Sequence, residues 1–319
     1  MSWLFILAGV ALLVLGGDLV VRGAGRLALA AGLSPLVVGL TVVAFCTSAP
    51  ELAASLVAAT RGTPELALGN VIGSNIANIG LILGLAGLVN PIPVRGSILL
   101  REIPLMIGAT ALFALLAWDG GFSRGDGVLL VVALLGYVGW MLRVEKTKEK
   151  AESALAEEYS EVLDEGRGSP VAQVGLVLGG VALLVGGAEL LVRGAVAIAT
   201  ASGLSPRVIG LTVVAIGTSL PELASSLVAS WKKEGDIVLG NVLGSNIFNV
   251  LGILGITALV QPFSVDIAAT GFDLWVLVAL SVALLPIFWA GSALRRGEAA
   301  LLLAGYALYV GRLFLATEG

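Results

Sequence analysis

Long apolar runs separated by short polar segments dominate the chain. A helix needs about 20 such residues to cross the hydrocarbon core of a bilayer, with a range of roughly 17–25. Ten runs meet this requirement, at residues 3–21, 35–60, 65–89, 102–118, 127–143, 171–191, 206–230, 237–260, 272–290 and 299–316. The pattern therefore predicts an all-α polytopic membrane protein with ten transmembrane helices.

One long polar segment interrupts this pattern between the fifth and sixth predicted helices. It runs from Glu145 to Pro170 and carries eight acidic and four basic residues. The simplest interpretation is a solvated connector that is partly helical, and a regulatory cation site is the alternative. The predicted organisation is a first five-helix repeat over 1–144, an acidic linker over 145–170 and a second five-helix repeat over 171–319.

The two halves of the chain are similar in sequence. Residues 33–80 align without a gap to residues 204–251, with 29 identities in 48 positions. Because five is an odd number of helices, the second repeat must enter the membrane in the opposite orientation. With the N-terminus outside, thirteen Lys and Arg residues fall on the cytoplasmic side and five on the outer side, as the positive-inside rule requires. The sequence thus predicts inverted repeats, with the 145–170 linker in the cytoplasm.

The composition supports a membrane protein and narrows its chemistry. The chain is 58% hydrophobic and 13% charged, whereas soluble domains carry about 25% charged residues. It has no histidine and a single cysteine, Cys46. An intrachain disulfide and a cysteine cluster for zinc or iron–sulfur are therefore excluded. Without histidine, carboxylates are the titratable groups available inside the membrane.

One polar motif interrupts both the second and the seventh predicted helix. Residues 44–51 read Ala-Phe-Cys-Thr-Ser-Ala-Pro-Glu, and residues 215–222 read Ala-Ile-Gly-Thr-Ser-Leu-Pro-Glu. Because proline has no N–H, each motif leaves a carbonyl one turn back without its helical donor. The glutamates, Glu51 and Glu222, each cost roughly 2.5–3.5 kcal/mol at the centre of a membrane helix. A bound cation is the most economical compensation for both.

A polar stripe follows each break at four-residue spacing, which places its members on one helix face. The stripes comprise Asn70, Ser74 and Asn78 in the first half, and Asn241, Ser245 and Asn249 in the second. Together with the carboxylates, the motif hydroxyls and the freed carbonyls, they form an all-oxygen set that suits Na⁺ or Ca²⁺. For Asn70 and Asn241, hydrogen bonding between helices without ligand contact is the competing interpretation.

These motifs resemble the α-repeats of the calcium/cation antiporter superfamily, and most closely those of prokaryotic sodium/calcium exchangers. The resemblance rests on Thr-Ser-Ala-Pro-Glu at 47–51, on Gly-Asn-Val-Ile-Gly-Ser-Asn-Ile-Ala-Asn at 69–78, and on their second-half counterparts. It implies a fold in which helices two, three, seven and eight form the ion-binding core, with helices two and seven broken. Helices one and six would slide across that core to alternate access. The implied function is Na⁺/Ca²⁺ exchange, with no cofactor, no enzymatic activity and no nucleic-acid partner.

The resemblance also implies which oxygens bind the transported ions. Ca²⁺ would bind the carboxylates of Glu51 and Glu222 and the carbonyls of Thr47 and Thr218. Na⁺ would use the same carboxylates together with side-chain oxygens of Ser48, Ser219, Ser74, Ser245 and Asn78. Asn249 belongs to the same predicted site, and the carbonyls of Ala44 and Ala215 would serve outlying sodium sites.

Two positions depart from the family pattern. Cys46 stands where the first motif normally has glycine, as Gly217 does in the second, and either fills space or narrows the site. Asn249 stands where several relatives, including potassium-dependent exchangers, carry an acid. The amide argues against obligatory K⁺ coupling and leaves two carboxylates, which one Ca²⁺ or two Na⁺ would neutralise. A third Na⁺, as the resemblance implies, would make the cycle electrogenic.

Two other functions fit part of the pattern. A Ca²⁺/H⁺ antiporter of the same fold is the nearest alternative, although those relatives usually carry a Gly-Asn-x-x-Glu core in place of Thr-Ser-x-Pro-Glu. A cation channel is the alternative from a different class, and matched carboxylates in inverted halves favour alternating access over it. The expected location is a prokaryotic plasma (inner) membrane, and the sequence leaves the oligomeric state open.

Overall fold

A computed structural model describes residues 2–31, 33–61, 64–96, 98–156, 170–201, 215–289 and 293–317. Within these residues the chain is helical, apart from turns and four two-residue strands. The helices of the first half are α1 (Ser2–Ala31), α2 (Pro35–Thr47), α3 (Ala49–Thr60), α4 (residues 64–89), α5 (Ile98–Ala117) and α6 (Arg124–Ala156). Those of the second half are α7 (Pro170–Ala201), α8 (Ala215–Thr218), α9 (Leu220–Trp231), α10 (Gly235–Val260), α11 (Ile267–Trp289) and α12 (Arg296–Thr317). The predicted all-helical class is confirmed.

Most of these helices are long and apolar enough to cross a membrane. In the described part of the chain seven helices qualify, or eight if the bent pair of α2 and α3 counts as one span. The run predicted at 206–230 is described only from residue 215 onward. The run predicted at 299–316 corresponds to α12, which is not among the seven. The total of ten spans therefore stays a prediction.

Two helices continue well past the ends of their predicted apolar runs. The first run ends at residue 21, but α1 continues to Ala31, and the sixth run ends at residue 191, but α7 continues to Ala201. Helix α6 continues to Ala156, inside the polar segment, which agrees with a linker that is partly helical. Arg, Lys, Glu and Ala are all good helix formers, so a helix can continue after its apolar pattern has ended. Residues 157–169 of the polar segment lie outside the described residues.

Helices α1 and α7 pack along each other through glycines spaced seven residues apart. A Cβ atom on Gly9 would stand 2.7 Å from the carbonyl oxygen of Gly187, and one on Gly16 equally close to that of Gly180. Small residues permit this close backbone approach inside a membrane. Since residue 9 meets residue 187 and residue 16 meets residue 180, the two helices run antiparallel.

Helices α4 and α10 occupy the centre of the molecule, and each comes next in the chain after one of the two broken helices. Most of α4 is buried, and α10 is buried over nearly its whole length. Glycines again allow close approach, because a Cβ atom on Gly244 would lie 2.6 Å from the carbonyl oxygen of Leu40 in α2. The polar stripes predicted from the sequence therefore lie in the core of the molecule.

Two short antiparallel strand pairs join loops from opposite halves. The strands are β1 (Ile92–Pro93), β2 (Gly121–Phe122), β3 (Phe263–Ser264) and β4 (Ala293–Leu294). β1 pairs with β4, placing Ile92 opposite Leu294, and β2 pairs with β3, placing Phe122 opposite Phe263. The chain after α4 is thus connected to the chain before α12, and the chain after α5 to the chain after α10.

Candidate functional site

The helix carrying the first motif breaks at Ser48. This residue has φ −85° and ψ 6°, and the helix axis turns by 43° between α2 and α3. Pro50 lies in the first turn of α3, where a missing N–H removes no helical hydrogen bond. Ser219, with φ −88° and ψ 6°, separates α8 from α9 in the same way, and Pro221 lies in the first turn of α9. The bends lie where the proline motifs predict them.

The two motif glutamates are buried and face each other's helix break. Glu51 is 1% exposed and Glu222 is 2% exposed. The hydroxyl of Ser48 donates to Glu222 Oε1 at 3.0 Å, and the hydroxyl of Ser219 lies 3.4 Å from Glu51 Oε1. Each carboxylate is therefore held by a hydroxyl from the other half of the chain.

The second oxygen of each carboxylate has no hydrogen-bond partner in the part of the chain that the structure describes. These atoms are Glu51 Oε2 and Glu222 Oε2. Burial of an ionised carboxylate with a single hydroxyl partner is unfavourable unless a counter-charge lies close by. A cation bound between the two carboxylates would supply that charge, as the sequence analysis predicts.

Thr47 ends α2 next to this carboxylate pair and is fully buried. Its hydroxyl lies 3.0 Å from the Val43 carbonyl and 3.2 Å from Asn241 Oδ1, and its single hydrogen is shared between these acceptors, so the threonine links α2 to α10. The carbonyl of Ala44 accepts from the Ser48 N–H at 3.0 Å and lies 3.4 Å from the Thr47 hydroxyl. A carbonyl oxygen has two lone pairs, so this one can keep the Ser48 N–H and still bind Na⁺.

The second-repeat counterparts occupy the matching helix end. Thr218 is half-buried at the end of α8, and Ala215 is the first residue of that helix. The side chain of Ala215 lies outside the described residues. Cys46, which departs from the family pattern, is half-buried and carries a free thiol. At the matching position, a Cβ atom on Gly217 would lie 2.4 Å from a methyl carbon of Val192.

The stripe serines are buried, and Ser74 contacts a serine of the second break. Ser74 is buried, and its Oγ lies 3.4 Å from the Oγ of Ser219, which connects α4 to the second break. Ser245 is fully buried, and its hydroxyl has no partner among the described residues. Both positions can supply a neutral oxygen to an ion held by the glutamates.

The last stripe residues, Asn78 and Asn249, are each 1% exposed. Each begins a π-helical turn, over Asn78–Ile82 in α4 and over Asn249–Leu254 in α10. Such turns interrupt the regular α-helical hydrogen bonding and are frequent at functional sites. The side-chain oxygen of each asparagine has no partner among the described residues, which leaves it available as a cation ligand.

Asn70 and Asn241 behave differently from the other stripe residues. The amide of Asn70 donates to the Glu51 carbonyl at 3.2 Å and to Ser55 Oγ at 3.0 Å. The amide nitrogen of Asn241 likewise lies 3.4 Å from the Glu222 carbonyl. It also lies 3.2 Å from Ser225 Oγ and 2.9 Å from Ser226 Oγ. Both residues therefore bond the neighbouring helix and hold the glutamate backbones, which is the hydrogen bonding that the competing interpretation expects.

Sequence reasoning missed two buried residues at the centre of the site. Asn75 and Asn246 lie one position beyond the stripe serines, so the four-residue spacing excluded them. Asn75 accepts from the amide of Asn249, and Asn246 accepts from the amide of Asn78, both at 2.9 Å. The available signal was the identity of Gly-Ser-Asn in both repeats, at 73–75 and 244–246.

The assembled site offers two carboxylates and several neutral oxygens in a buried setting. Its partnerless buried atoms are Glu51 Oε2, Glu222 Oε2, Asn78 Oδ1, Asn249 Oδ1 and Ser245 Oγ. In the described ranges, no three or more Asp, Glu, Cys or His side chains are grouped so that they could hold a metal ion. An all-oxygen site with two negative charges suits Na⁺ or Ca²⁺ as a transported substrate and offers no soft ligands for zinc or copper.

Comparison with known proteins finds relatives that are named as exchangers or antiporters. The sequence profile of the sodium/calcium exchanger protein family matches residues 1–143 and 172–315. The putative antiporter CaxA of Alkalimonas amylolytica is 41% identical over 92% of this chain and 91% of its own length. The inner membrane protein YrbG of Escherichia coli (strain K12) is 38% identical over 97% of both chains.

The fold also matches a solved structure. The sodium-calcium exchanger NCX_Mj, soaked with 10 mM Na⁺ and zero Ca²⁺, superimposes with a TM-score of 0.83 at 35% sequence identity. The match covers 97% of this chain and 98% of the other. At that identity and coverage, the likeness extends over both halves of the molecule.

Proposed function

Because this chain belongs to the sodium/calcium exchanger protein family, we propose that it is a secondary antiporter that exchanges Na⁺ for Ca²⁺ by alternating access. The observation that carries the proposal is the pair of buried glutamates. Glu51 and Glu222 each have one oxygen held by a serine from the other half and one without a partner among the described residues. One Ca²⁺ or two Na⁺ would neutralise the pair, so the two ions compete for the same carboxylates.

The proposed ligands divide by charge. Ca²⁺ binds the two carboxylates and the carbonyls of Thr47 and Thr218, because a divalent cation gains most from the formal charges. Na⁺ uses the carboxylates together with neutral oxygens, which come from Ser48, Ser219, Ser74, Ser245, Asn78 and Asn249 and from the carbonyls of Ala44 and Ala215. Competition at the carboxylates couples release of one ion to binding of the other.

The proposed scaffold has ten transmembrane helices arranged as inverted repeats over 1–144 and 171–319. The antiparallel packing of α1 against α7 supports opposite orientations of the two halves, since these are their first helices. The contacts in the site support it too. Ser48 with Glu222 and Ser219 with Glu51 are the same contact with the repeats exchanged.

The proposed topology places the N-terminus outside and the 145–170 linker in the cytoplasm. The excess of Lys and Arg on the side of that linker supports this orientation. The name of the Escherichia coli relative, an inner membrane protein, supports location in a prokaryotic plasma membrane.

The deciding experiment measures uptake of radioactive Ca²⁺ into proteoliposomes that contain the purified protein. Vesicles loaded with Na⁺ and diluted into Na⁺-free buffer should accumulate Ca²⁺, whereas a pH gradient alone should drive none. Glu222→Gln should abolish uptake. The matched control is Glu234→Gln, because Glu234 is an exposed glutamate of the same half at the start of α10.

Each of the other outcomes of this experiment would assign a different function to the protein. Uptake driven only by the pH gradient would make the chain a Ca²⁺/H⁺ antiporter. Ca²⁺ flux that neither saturates nor requires a counter-ion would make it a channel. Failure of both gradients would remove Ca²⁺ as the substrate.

A further inference from the structure

We propose that Asn75 and Asn246 are positioning residues, which fix the side-chain amides of Asn249 and Asn78 so that their oxygens face the transported cation. The inference rests on the proposed function and extends it to residues that touch no ion. Each of the four asparagines is buried. The bonds cross between the halves, since Asn75 on α4 holds Asn249 on α10, and Asn246 on α10 holds Asn78 on α4.

The orientation of Asn75 is determined by a backbone group. Its Nδ2 donates to the main-chain carbonyl of Asn246 at 3.2 Å. A carbonyl can only accept, so the amide nitrogen of Asn75 must point toward it. Its Oδ1 therefore points toward Asn249, and Asn249 must present its own Nδ2 to that oxygen, at 2.9 Å. The remaining oxygen, Asn249 Oδ1, is then directed away from Asn75.

The orientation of Asn246 is determined by a thioether. Its Nδ2 lies 3.6 Å from the sulfur of Met106, on α5. Thioether sulfur is a weak acceptor and never a donor, so the amide nitrogen belongs on that side. Asn246 Oδ1 then accepts from Asn78 Nδ2 at 2.9 Å. As in the other pair, the oxygen of Asn78 is left without a partner among the described residues.

These two chains of hydrogen bonds decide which end of each ligand amide meets the ion. If Asn78 or Asn249 were free to rotate by half a turn about its last side-chain bond, it could direct NH₂ hydrogens at a cation, which is repulsive. With Nδ2 engaged, only the carbonyl oxygen is available to the site. Preorganisation of this kind lowers the cost of ordering a ligand when the ion binds.

Replacing Asn75 or Asn246 should weaken the binding of Na⁺ more than the binding of Ca²⁺. In the proposed ligand division, Ca²⁺ is held by the two glutamates and the threonine carbonyls, whereas Na⁺ depends on neutral side-chain oxygens as well. A neutral oxygen that turns away from the site would weaken a sodium position and leave the carboxylate charges unchanged. Loss of fold would instead weaken both ions together.

The test uses Asn246→Ala and Asn75→Ala in the full-length protein reconstituted in proteoliposomes. The Na⁺ concentration for half-maximal exchange should rise about tenfold, which corresponds to about 1.4 kcal/mol of binding free energy. The affinity for radioactive Ca²⁺ in the absence of Na⁺ should change less than about twofold, below 0.5 kcal/mol on the same scale. Thr110→Val is the matched control. It removes a buried hydroxyl whose hydrogen-bond partner, among the described residues, is the Met106 carbonyl, and it should shift neither value.

A double-mutant cycle identifies the residue through which Asn246 acts. If it acts through Asn78, Asn246→Ala should add little to the Na⁺ shift already caused by Asn78→Ala. Independent, additive shifts, or equal losses of Na⁺ and Ca²⁺ affinity, would overturn the inference.

Should the alanine variants fail to fold, Asn246→Leu keeps the side-chain volume and carries the same expectation. Wild-type protein that exchanges Na⁺ for Ca²⁺ beside variants with unshifted Na⁺ dependence refutes this inference alone. Wild-type protein without exchange refutes the proposed function.

Discussion

At the scale of single residues, the site is defined by oxygens that the protein leaves without partners. Glu51 and Glu222 are almost completely buried, and each has one carboxylate oxygen that no described group satisfies. A fold that needed these side chains only for stability would satisfy both oxygens, because unpaired buried charge is costly. Two ionised carboxylates in this arrangement are therefore unfavourable unless a cation neutralises them.

This balance predicts opposite effects of one substitution on stability and on binding. Without Na⁺ and Ca²⁺, Glu51→Gln and Glu222→Gln should each raise the melting temperature, because the amide is neutral and avoids the desolvation penalty of a buried carboxylate without a counter-charge. Saturating Ca²⁺ should stabilise the wild type by about 2.7 kcal/mol at a hundred times its dissociation constant, and should leave the variants unchanged. Thermal unfolding at alkaline pH, at one fixed scan rate, measures both effects. A variant that Ca²⁺ still stabilises would contradict the assignment.

The amide at position 249 predicts independence from K⁺. Two carboxylates are already neutralised by one Ca²⁺, so no further negative charge remains in the predicted site to hold a K⁺. Replacing all K⁺ by choline should leave the initial rate of Na⁺-driven Ca²⁺ uptake unchanged. A requirement for K⁺ would mean that a charged group outside the predicted set reaches the site.

At the scale of elements, close helix packing depends on glycines at particular positions. In α1, a side chain on Gly16 would meet the backbone of α7, whereas nothing lies within 4 Å of a Cβ atom on Gly25. Backbone atoms cannot move aside without displacing the whole helix. Helix α1 therefore has no room for a larger residue at Gly16, where it packs against α7, but has room for one at Gly25.

This contrast predicts different outcomes for the same chemical substitution. Gly16→Ala should destabilise the protein by about 1–3 kcal/mol, the usual cost of forcing extra atoms into a packed interface. Gly25→Ala should be neutral or stabilising by up to about 1 kcal/mol, because alanine forms helices better than glycine does. Melting temperatures of the purified variants compare the two directly. Equal destabilisation by both substitutions would mean that α1 and α7 do not pack as closely at Gly16 as the structure shows.

At the scale of the whole molecule, one ion-pair network joins α1 to the turn between α9 and α10. Asp18 contacts both Arg22, one turn away, and Lys232. In the repeat alignment these residues correspond to Glu189, Arg193 and Arg61. Glu189 pairs with Arg193 at 2.6 Å, but it forms no ion pair with Arg61 in the described structure. One side of the molecule therefore has a connection that its repeat-related side lacks.

Under alternating access, the connection between α1 and Lys232 should open during each cycle. A bifunctional thiol cross-linker with a reducible bridge, joining Asp18→Cys to Lys232→Cys in a Cys46→Ser background, should stop exchange, and a reductant should restore it. Each single-cysteine variant should transport normally after the same treatment. Full exchange activity with the cross-link in place would show that α1 does not move relative to that turn.

Net charge movement is a second prediction for the whole molecule, because the family resemblance implies a third Na⁺. Exchange of three Na⁺ for one Ca²⁺ moves one charge per cycle, and 100 mV across the membrane contributes about 2.3 kcal/mol to that step. A potential negative inside the vesicle should therefore slow Ca²⁺ uptake driven by internal Na⁺, and the opposite potential should speed it. A potential clamped with valinomycin and K⁺ provides the measurement. A rate indifferent to voltage would indicate two Na⁺ per Ca²⁺.

Much of the fold could be predicted because its determinants are local or repeated. Hydropathy located most of the helices, since a bilayer demands about 20 consecutive apolar residues. The proline motifs located both breaks, at Ser48 and Ser219, because proline is favoured in the first turn of a helix. Helix ends were less predictable, as α1 and α7 show, because hydropathy locates the apolar part of a helix and carries no information on how far the helix continues beyond it.

The candidate site was predictable in its members more than in its contacts. Identity between the halves singled out both glutamates, the motif serines and the polar stripes. The four-residue spacing then excluded Asn75 and Asn246, because it describes one helix face and carries no information about the helix opposite. Their role depends on bonds between α4 and α10.

The sequence by itself determined the membrane class, the internal repeat and the carboxylates available to a cation, because these follow from residue type and spacing along one chain. Only the tertiary structure decided which half supplies each partner. Ser48 meets Glu222 rather than its neighbour Glu51, and Asn75 meets Asn249 rather than Asn78. These pairs are separated by 174 positions, and the packing of one helix against another is what brings them together.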